Sequence, residues 1–161
     1  MRARFVAVVA VVLAAALAPV SAGAAGGSVT VSMATSLKLS AKILVTVPVT
    51  VVCSDVPGLT PIDDGVTVTI EQAHSSTISH GSGGIGGGFG SPLLLTCDGT
   101  TVNSVSVNVL ADTSGSPFKT GAAIATASAS RTDGTSCGPG CFTNFQLNNG
   151  STGPMAVKLR G

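Results

Sequence analysis

The motif Cys-Gly-Pro-Gly-Cys at residues 137–141 is the stretch of the sequence most suggestive of chemistry. Two cysteines this close together could exchange electrons, bind a metal or form a disulfide. A redox thiolate needs the start of a helix to lower its pKa, whereas residues 143–147 have the composition of a strand. A zinc site needs two further ligands, and His74 and His80 are the only histidines. The motif therefore predicts a structural disulfide, in which two glycines allow a tight ring.

The remaining cysteines, Cys53 and Cys97, decide how the disulfides pair. Four cysteines allow three pairings. Cys53 and Cys97 both fall on the inward-facing rows of alternating sequences, so we expect them to meet between two sheets. Cys137 then pairs with Cys141. Two disulfides are typical of a protein from an oxidising compartment.

A glycine-rich segment at residues 80–90, with the sequence HGSGGIGGGFG, has the glycine spacing of a dinucleotide-binding turn. That spacing has meaning only between a strand and a helix, and the successive glycines at 86–88 would break a helix. We therefore predict a flexible loop between two strands. An alternative interpretation is a mobile gate over a cleft, with Ile85 and Phe89 as its apolar tips.

The two histidines, His74 and His80, are candidates for metal binding or acid–base catalysis. Their spacing is not that of a known metal site, and we interpret both as solvated polar residues. The sequence has no nucleophile elbow, and Glu71 is its single glutamate. These features predict no enzyme, no metal and no cofactor. A secreted hydrolase remains an alternative if either histidine contacts both a serine and a carboxylate.

Alternating apolar and polar residues must position these motifs, because no segment shows a helical period with caps. The alternating rows lie at 29–31, 43–53, 66–71, 93–97, 104–109, 123–129 and 155–159. Turn signals lie at 57–58, 64–65, 98–99, 114–115 and 149–150. Short alternating strands of this kind predict an all-β fold, namely an antiparallel immunoglobulin-like β-sandwich of about seven or eight strands.

The N-terminus has the pattern of a signal peptide. Arg2 and Arg4 precede an apolar run at 5–17 that is too short to span a bilayer, and small residues follow it. We predict a signal peptide at 1–24 and a single secreted domain at 25–161, with no membrane span after cleavage.

Charged residues make up only 9% of the chain, with 8 Lys and Arg against 7 Asp and Glu. No run of basic residues is present to neutralise phosphates. We therefore predict that nucleic acid is not a partner.

Several short stretches carry a family resemblance. They are VTVPVTVVC at 45–53, LTCDGT at 95–100, SPFKTGAAIATASAS at 116–130, and CGPGC at 137–141 followed by MAVKLR. Together they resemble an uncharacterised family of secreted actinobacterial proteins with immunoglobulin-like sandwiches. The resemblance implies a fold and no activity. The chain is more distantly similar to neocarzinostatin-type apoproteins, which bind an apolar chromophore in a cleft.

These observations predict a secreted, non-catalytic module that binds an extracellular protein, a glycan or a small apolar molecule. Its candidate ligand residues are His74, His80, Ile85, Phe89 and Phe118, and its candidate loops lie at 55–64, 75–91 and 112–119. The alternative is a carrier of a small apolar ligand. A carrier would need a cleft lined by at least two of the phenylalanines at 89, 118, 142 and 145.

Overall fold

The structure is a computed structural model that describes residues 26–87, 93 and 95–161. In these residues the chain forms nine strands, and no helix long and apolar enough to cross a membrane is present among them. The strands are β1 (Val29–Met33), β2 (Ser36–Ser40), β3 (Leu44–Cys53), β4 (Thr60–Ala73), β5 (Ile78–Gly86), β6 (Asn103–Ala111), β7 (Gly121–Gly138), β8 (Cys141–Ser151) and β9 (Met155–Arg160). The all-β prediction is confirmed. The predicted signal peptide lies outside the described residues.

Seven of the strands form a closed barrel in the order β3–β2–β9–β7–β4–β5–β6. The ring closes because β6 pairs back with β3, from Leu44 opposite Leu110 to Val51 opposite Asn103. A ring with an odd number of strands cannot alternate in direction throughout, so one neighbouring pair must be parallel. That pair is β2 and β9.

The two other strands, β1 and β8, extend the barrel at one end. β1 precedes β2 along the same edge of β3, and β8 precedes β9 along the same edge of β7. The β7–β8 hairpin carries the Cys137–Cys141 disulfide at its tip, with 5.1 Å between the Cα atoms. This bridge confirms the predicted staple.

Small side chains fill the narrow interior of the barrel. Strands β3, β4, β6 and β7 direct alternate residues inward, and these are Val45, Val47, Val49, Val51, Val66, Val68, Ile70, Val107, Val109, Ala123, Ala125, Ala127 and Ala129. A barrel of about eight strands has an interior just wide enough for its own side chains, so a ring of seven favours valine and alanine. The absence of Trp and Tyr from the chain fits this width.

The closed barrel replaces the predicted two-sheet sandwich. Alternation along a strand shows which face is buried, and it does not show whether the edges of the sheet meet. The Cys53–Cys97 disulfide confirms the predicted pairing, with 4.5 Å between the Cα atoms. It does not cross between two sheets, because it joins the end of β3 to the segment that precedes β6, the neighbour of β3 in the ring.

The glycine-rich segment is the largest departure from the sequence-based prediction. The predicted loop is strand β5 as far as Gly86, and it pairs with β4 over its whole length. A Cβ atom at Gly83 would overlap the carbonyl oxygen of Asn108 on β6, and one at Gly81 would lie 2.7 Å from the Phe118 ring. Glycine is therefore needed here for the close approach of neighbouring backbones, not for a flexible loop.

Two predicted turns and one predicted strand are also wrong. Residues 64–65 lie inside β4, and residues 149–150 lie inside β8. Residues 95–97 form no strand, although Cys97 is buried as predicted. Gly150 lies in extended backbone, and the Val29 backbone packs in the position that a side chain would occupy.

Replacing Gly83 by alanine should destabilise the barrel far more than the same change at its neighbour Gly84. Gly83 faces the β6 backbone, which cannot move away without breaking the β3–β6 pairs that close the barrel. We therefore expect Gly83→Ala to lower the free energy of unfolding by about 3 kcal/mol. Gly84 faces outward, and its nearest neighbour would be 3.3 Å away. We expect Gly84→Ala to change stability by about 1 kcal/mol or less. Urea denaturation of both variants measures the difference, and equal losses would contradict the close-approach argument.

The two disulfides should contribute unequally to stability. The Cys53–Cys97 bridge closes a separation of 44 residues and the Cys137–Cys141 bridge a separation of 4. On the chain-entropy model, replacing both cysteines of a bridge by alanine lowers the free energy of unfolding by about 4 kcal/mol for the first bridge and about 2 kcal/mol for the second. Urea denaturation of the two double-alanine variants tests this order. A larger loss from the hairpin-tip pair would contradict it.

Candidate functional site

One end of the barrel is covered by the segment at 112–120, which the side chain of Gln72 holds in place. The buried Gln72 Nε2 donates to the carbonyl oxygens of Lys119 and Ala122, at 2.8 and 3.2 Å. Its Oε1 accepts from the Lys119 backbone N–H at 2.8 Å. A single amide therefore uses both its donor and its acceptor to fix the backbone of Lys119.

Further contacts hold the same segment on the β5 side. The buried Ser79 Oγ donates to the Pro117 carbonyl oxygen at 3.1 Å and lies 2.8 Å from His74 Nε2. The fully buried Phe118 ring packs on Gly81 and plugs the barrel, while its N–H donates to the Lys42 carbonyl oxygen at 2.9 Å. The segment is thus joined to both β5 and the β2–β3 turn.

The structure brings together three of the five predicted ligand residues. His74, His80 and Phe118 all lie at this end, where the Asp112 N–H donates to the His80 carbonyl oxygen at 2.9 Å. Ile85 lies toward the opposite end of β5 and is half-buried against the core. Phe89 lies outside the described residues.

The two histidines have different neighbours. His80 Nδ1 lies 3.5 Å from Glu71 Oε1, in an exposed pair across β4 and β5. His74 contacts a serine, Ser79, and His80 contacts a carboxylate; among the described residues neither histidine contacts both. Within the same residues, no group of three or more His, Cys, Asp or Glu side chains is arranged to hold a metal ion.

This end of the barrel also collects basic residues, a feature that the sequence analysis missed. Lys42 and Lys119 line an open cleft of about 670 Å³, together with Leu39, Pro117 and Gly161. We call the end bounded by the β2–β3 turn and the 112–120 segment the lysine end. Its two lysines are 77 positions apart in the printed sequence, so no local pattern could reveal it.

Three more cations lie on the neighbouring strands β2 and β9. Lys38 lies opposite Arg160 in the parallel pair, and Lys158 is two residues before Arg160 on the same outer face. All five cations are exposed, and none forms an ion pair with any residue that the structure describes. We call Lys38, Lys158 and Arg160 the basic stripe.

The sixth described cation, Arg131, lies toward the opposite end of the barrel in a buried ionic cluster. Its Nε donates to both carboxylate oxygens of Asp133, at 2.9 and 3.2 Å, and its Nη2 donates to Asp55 Oδ1 at 2.6 Å. Arg131 and Asp133 are almost fully buried. Since a buried charge requires a partner, this cluster ties the segment after β3 to strand β7.

Two aspartates toward this end have shifted pKa values in opposite directions. Burial raises the pKa of Asp64, against the effects of the Leu95 N–H bond at 3.2 Å and of the Arg131 charge, which lower it. Hydrogen bonds from Thr101 and Thr100 hold the pKa of Asp98 well below its usual range. The Thr101 hydroxyl and N–H each lie 2.6 Å from an Asp98 carboxylate oxygen.

The described phenylalanines do not line a common cleft. Phe118 is inside the barrel near Gly81. Phe142 and Phe145 lie on β8 near the hairpin tip, at the opposite end of the barrel, where Phe142 is close to Gly134 of β7. The arrangement that an apolar chromophore carrier requires is therefore not formed by the three phenylalanines that the structure describes.

Comparison of the chain with protein-family models, with curated proteins and with solved structures finds no match. The resemblance to secreted actinobacterial proteins therefore stays a prediction.

The pKa shifts predict opposite pH dependences for two variants. The folded-state pKa of Asp64 lies above its unfolded value of about 3.9, so the native state binds the extra proton, and wild-type stability relative to Asp64→Asn should rise as the pH falls through the folded-state pKa toward about 4. The folded-state pKa of Asp98 lies below its unfolded value. Its contribution is therefore present above about pH 4 and should be lost as the pH falls further, relative to Asp98→Asn. Urea denaturation across this pH range tests both signs, and parallel curves for wild type and variant would contradict the assignment.

Proposed function

We propose that the protein is a secreted, non-catalytic binding module that acts outside the cell and recognises its partner through the lysine end. In this proposal residues 1–24 are removed as a signal peptide, and residues 25–161 form the mature domain. Two disulfides support the location, because such bonds persist in oxidising compartments. The resemblance to a family of secreted actinobacterial proteins belongs to the same proposal and rests on the quoted sequence stretches, although the closed barrel differs from the sandwich that this resemblance implies.

The unpaired cations at a braced end of the barrel are the observation that carries this proposal. In a chain with 9% charged residues, five exposed cations share one side and one end of the barrel, with no carboxylate partner among the described residues. Natural surfaces usually intersperse charges of both signs. A concentration of one sign favours a partner that carries the other, such as an acidic extracellular protein or an anionic glycan.

Bracing of the 112–120 segment adds to the argument. Gln72, Ser79 and Phe118 fix the backbone that carries Lys119, so binding requires little ordering of the main chain. A preorganised surface loses less conformational entropy on association. Loops held on a rigid scaffold are where such folds usually carry recognition.

A second candidate function is the carriage of a small molecule in the cleft at the lysine end. Its volume of about 670 Å³ lies within the range of small-ligand sites. The lysines that line it favour a ligand with an acidic group over a wholly apolar one. Native mass spectrometry of protein from the secreting organism's medium separates the two candidates. An added mass that vanishes on denaturation indicates a carrier, and the bare mass of the oxidised chain favours the binding module.

Removing the charges of the lysine end should reduce retention on the surface of the secreting cells. We expect Lys42→Gln with Lys119→Gln to lower the cell-bound fraction several-fold in a sedimentation assay, because both charges face the cleft. The matched control is Ser136→Glu with Thr143→Glu, which changes the net charge equally at exposed positions of the hairpin tip. Equal retention of wild type and the lysine variant, or an equal loss in the control, would contradict recognition by the lysine end.

A further inference from the structure

The basic stripe is a row of like charges, and none of the described acids pairs with it on its outer face. Lys38 and Arg160 are opposite each other on strands about 4.8 Å apart. The residues opposite the stripe on the neighbouring strands are uncharged, namely the half-buried Thr46 on β3 and the exposed Ala122 on β7. Like charges side by side on a sheet are destabilising, so the stripe is not explained by the stability of the barrel.

The turn at the lysine end carries a second unfavourable feature. Ala41 and Lys42 have φ angles of 52° and 65°, and the Ile43 N–H closes the turn onto the Ser40 carbonyl oxygen at 3.4 Å. A hairpin turn with positive φ at both central positions favours Asn-Gly. Ala-Lys at these positions puts a lysine at the apex of the hairpin in a backbone conformation that glycine or asparagine adopts more easily.

Exposed apolar side chains lie beside these cations. Ile43 follows the lysine of the turn and is 53% exposed, and Leu110 on β6 is 57% exposed. Both line a shallow depression that also includes Pro117, and Pro117 borders the lysine cleft as well. In the ring, β3 separates the basic strand β2 from β6, and the basic and apolar surfaces meet at the β2–β3 turn, where Lys42 and Ile43 are consecutive residues.

Apolar side chains next to a cluster of lysines favour one kind of anionic partner over others. A soluble polyanion would use the cations and leave Ile43 and Leu110 in water. The headgroup region of an anionic bilayer uses both, because phosphates attract the cations and the acyl boundary accepts the apolar groups. Exposed Asp112 at the same depression is the one described carboxylate that opposes this attraction there.

We infer that the protein docks on an anionic lipid bilayer through the basic stripe, the lysine end and the adjacent Ile43–Leu110 surface. This inference rests on the proposed function and names its partner class. The five cations lie at the level of the lipid phosphates, and the two apolar side chains enter the interface. The barrel stays outside the bilayer as a peripheral module.

Vesicle flotation tests the inference directly. The secreted form is collected from culture medium and mixed with vesicles of equal parts phosphatidylglycerol and phosphatidylcholine, or of phosphatidylcholine alone. We expect binding to the anionic vesicles at low salt, at least tenfold weaker binding without phosphatidylglycerol, and a steep decrease as sodium chloride rises. Equal binding to both vesicle types would overturn the inference.

Variants then separate the two parts of the surface. Each cation near an anionic bilayer changes the partition constant about fivefold, so Lys38→Gln, Lys158→Gln and Arg160→Gln together should weaken binding on the order of 100-fold. The matched control, Ser136→Glu with Thr143→Glu and Val102→Glu, has the same net charge, with its exposed substitutions toward the other end of the barrel. It should bind much more tightly than the stripe variant. Ile43→Ser with Leu110→Ser should bind several-fold more weakly than wild type, with circular dichroism confirming the fold of each variant.

The remaining outcomes distinguish this inference from the proposed function. Binding to soluble polyphosphate without binding to anionic vesicles would overturn the lipid assignment and leave a binding module with another anionic partner. Lysine-dependent retention on cells without vesicle binding would do the same. If the stripe variant and its control bind vesicles equally, the docking surface is wrong. Unchanged retention of the lysine variant on cells would instead count against the proposed function itself.

Discussion

The close approach of the β5 backbone to β6 is the constraint on which the rest of the barrel depends. Gly81 and Gly83 leave room for the carbonyl oxygens of Leu110 and Asn108 and for the Phe118 ring. Because β5 fits between β4 and β6, β6 reaches β3 and the ring closes. Closure gives each of the seven barrel strands a paired neighbour on both sides, so none of them is an edge strand along its whole length. The narrow interior that results is filled mainly by valine and alanine, with Ile70, the leucines of β2 and β9, and one phenylalanine as a plug.

The local part of this structure could be predicted from the sequence, and the non-local part could not. The period of two along Val45, Val47, Val49 and Val51 predicted both the strand and its buried face, since side-chain direction alternates in any strand. The same parity placed Cys53 in the interior. Strand β5 was missed because glycine has low strand propensity, and the reason for glycine there is a neighbour distant in sequence. Closure of the sheet was missed because the alternation of buried and exposed residues along a strand is the same in a sandwich and in a barrel.

In the candidate site, too, individual residues could be predicted from the sequence, whereas the surface that they form together could not. His74, His80 and Phe118 were predicted as ligand residues, and the structure places all three at one end of the barrel. There Ser79 bonds to the 112–120 segment, and Phe118 anchors that segment in the barrel interior. The lysine end and the basic stripe were missed because their cations come from three separate segments of the chain, at 38–42, 119 and 158–160. A composition with nearly equal numbers of acids and bases also concealed them. Only the topology shows that β2 and β9 are neighbours.

The unequal distribution of charge follows from how the acids are used. Asp133 and Asp55 neutralise Arg131, Asp64 is buried beside them, and Asp98 closes a turn with its own hydrogen bonds. Four of the seven acids are therefore committed to the structure toward one end of the barrel. Among the described residues, the cations at the other end have no carboxylate partner. They are therefore solvated by water unless an external anion binds them. With a Debye length of about 8 Å at physiological ionic strength, the committed acids toward the far end screen them weakly. The acids that stabilise one end of the barrel therefore do not neutralise the cations at the other end, which stay available to an anionic surface.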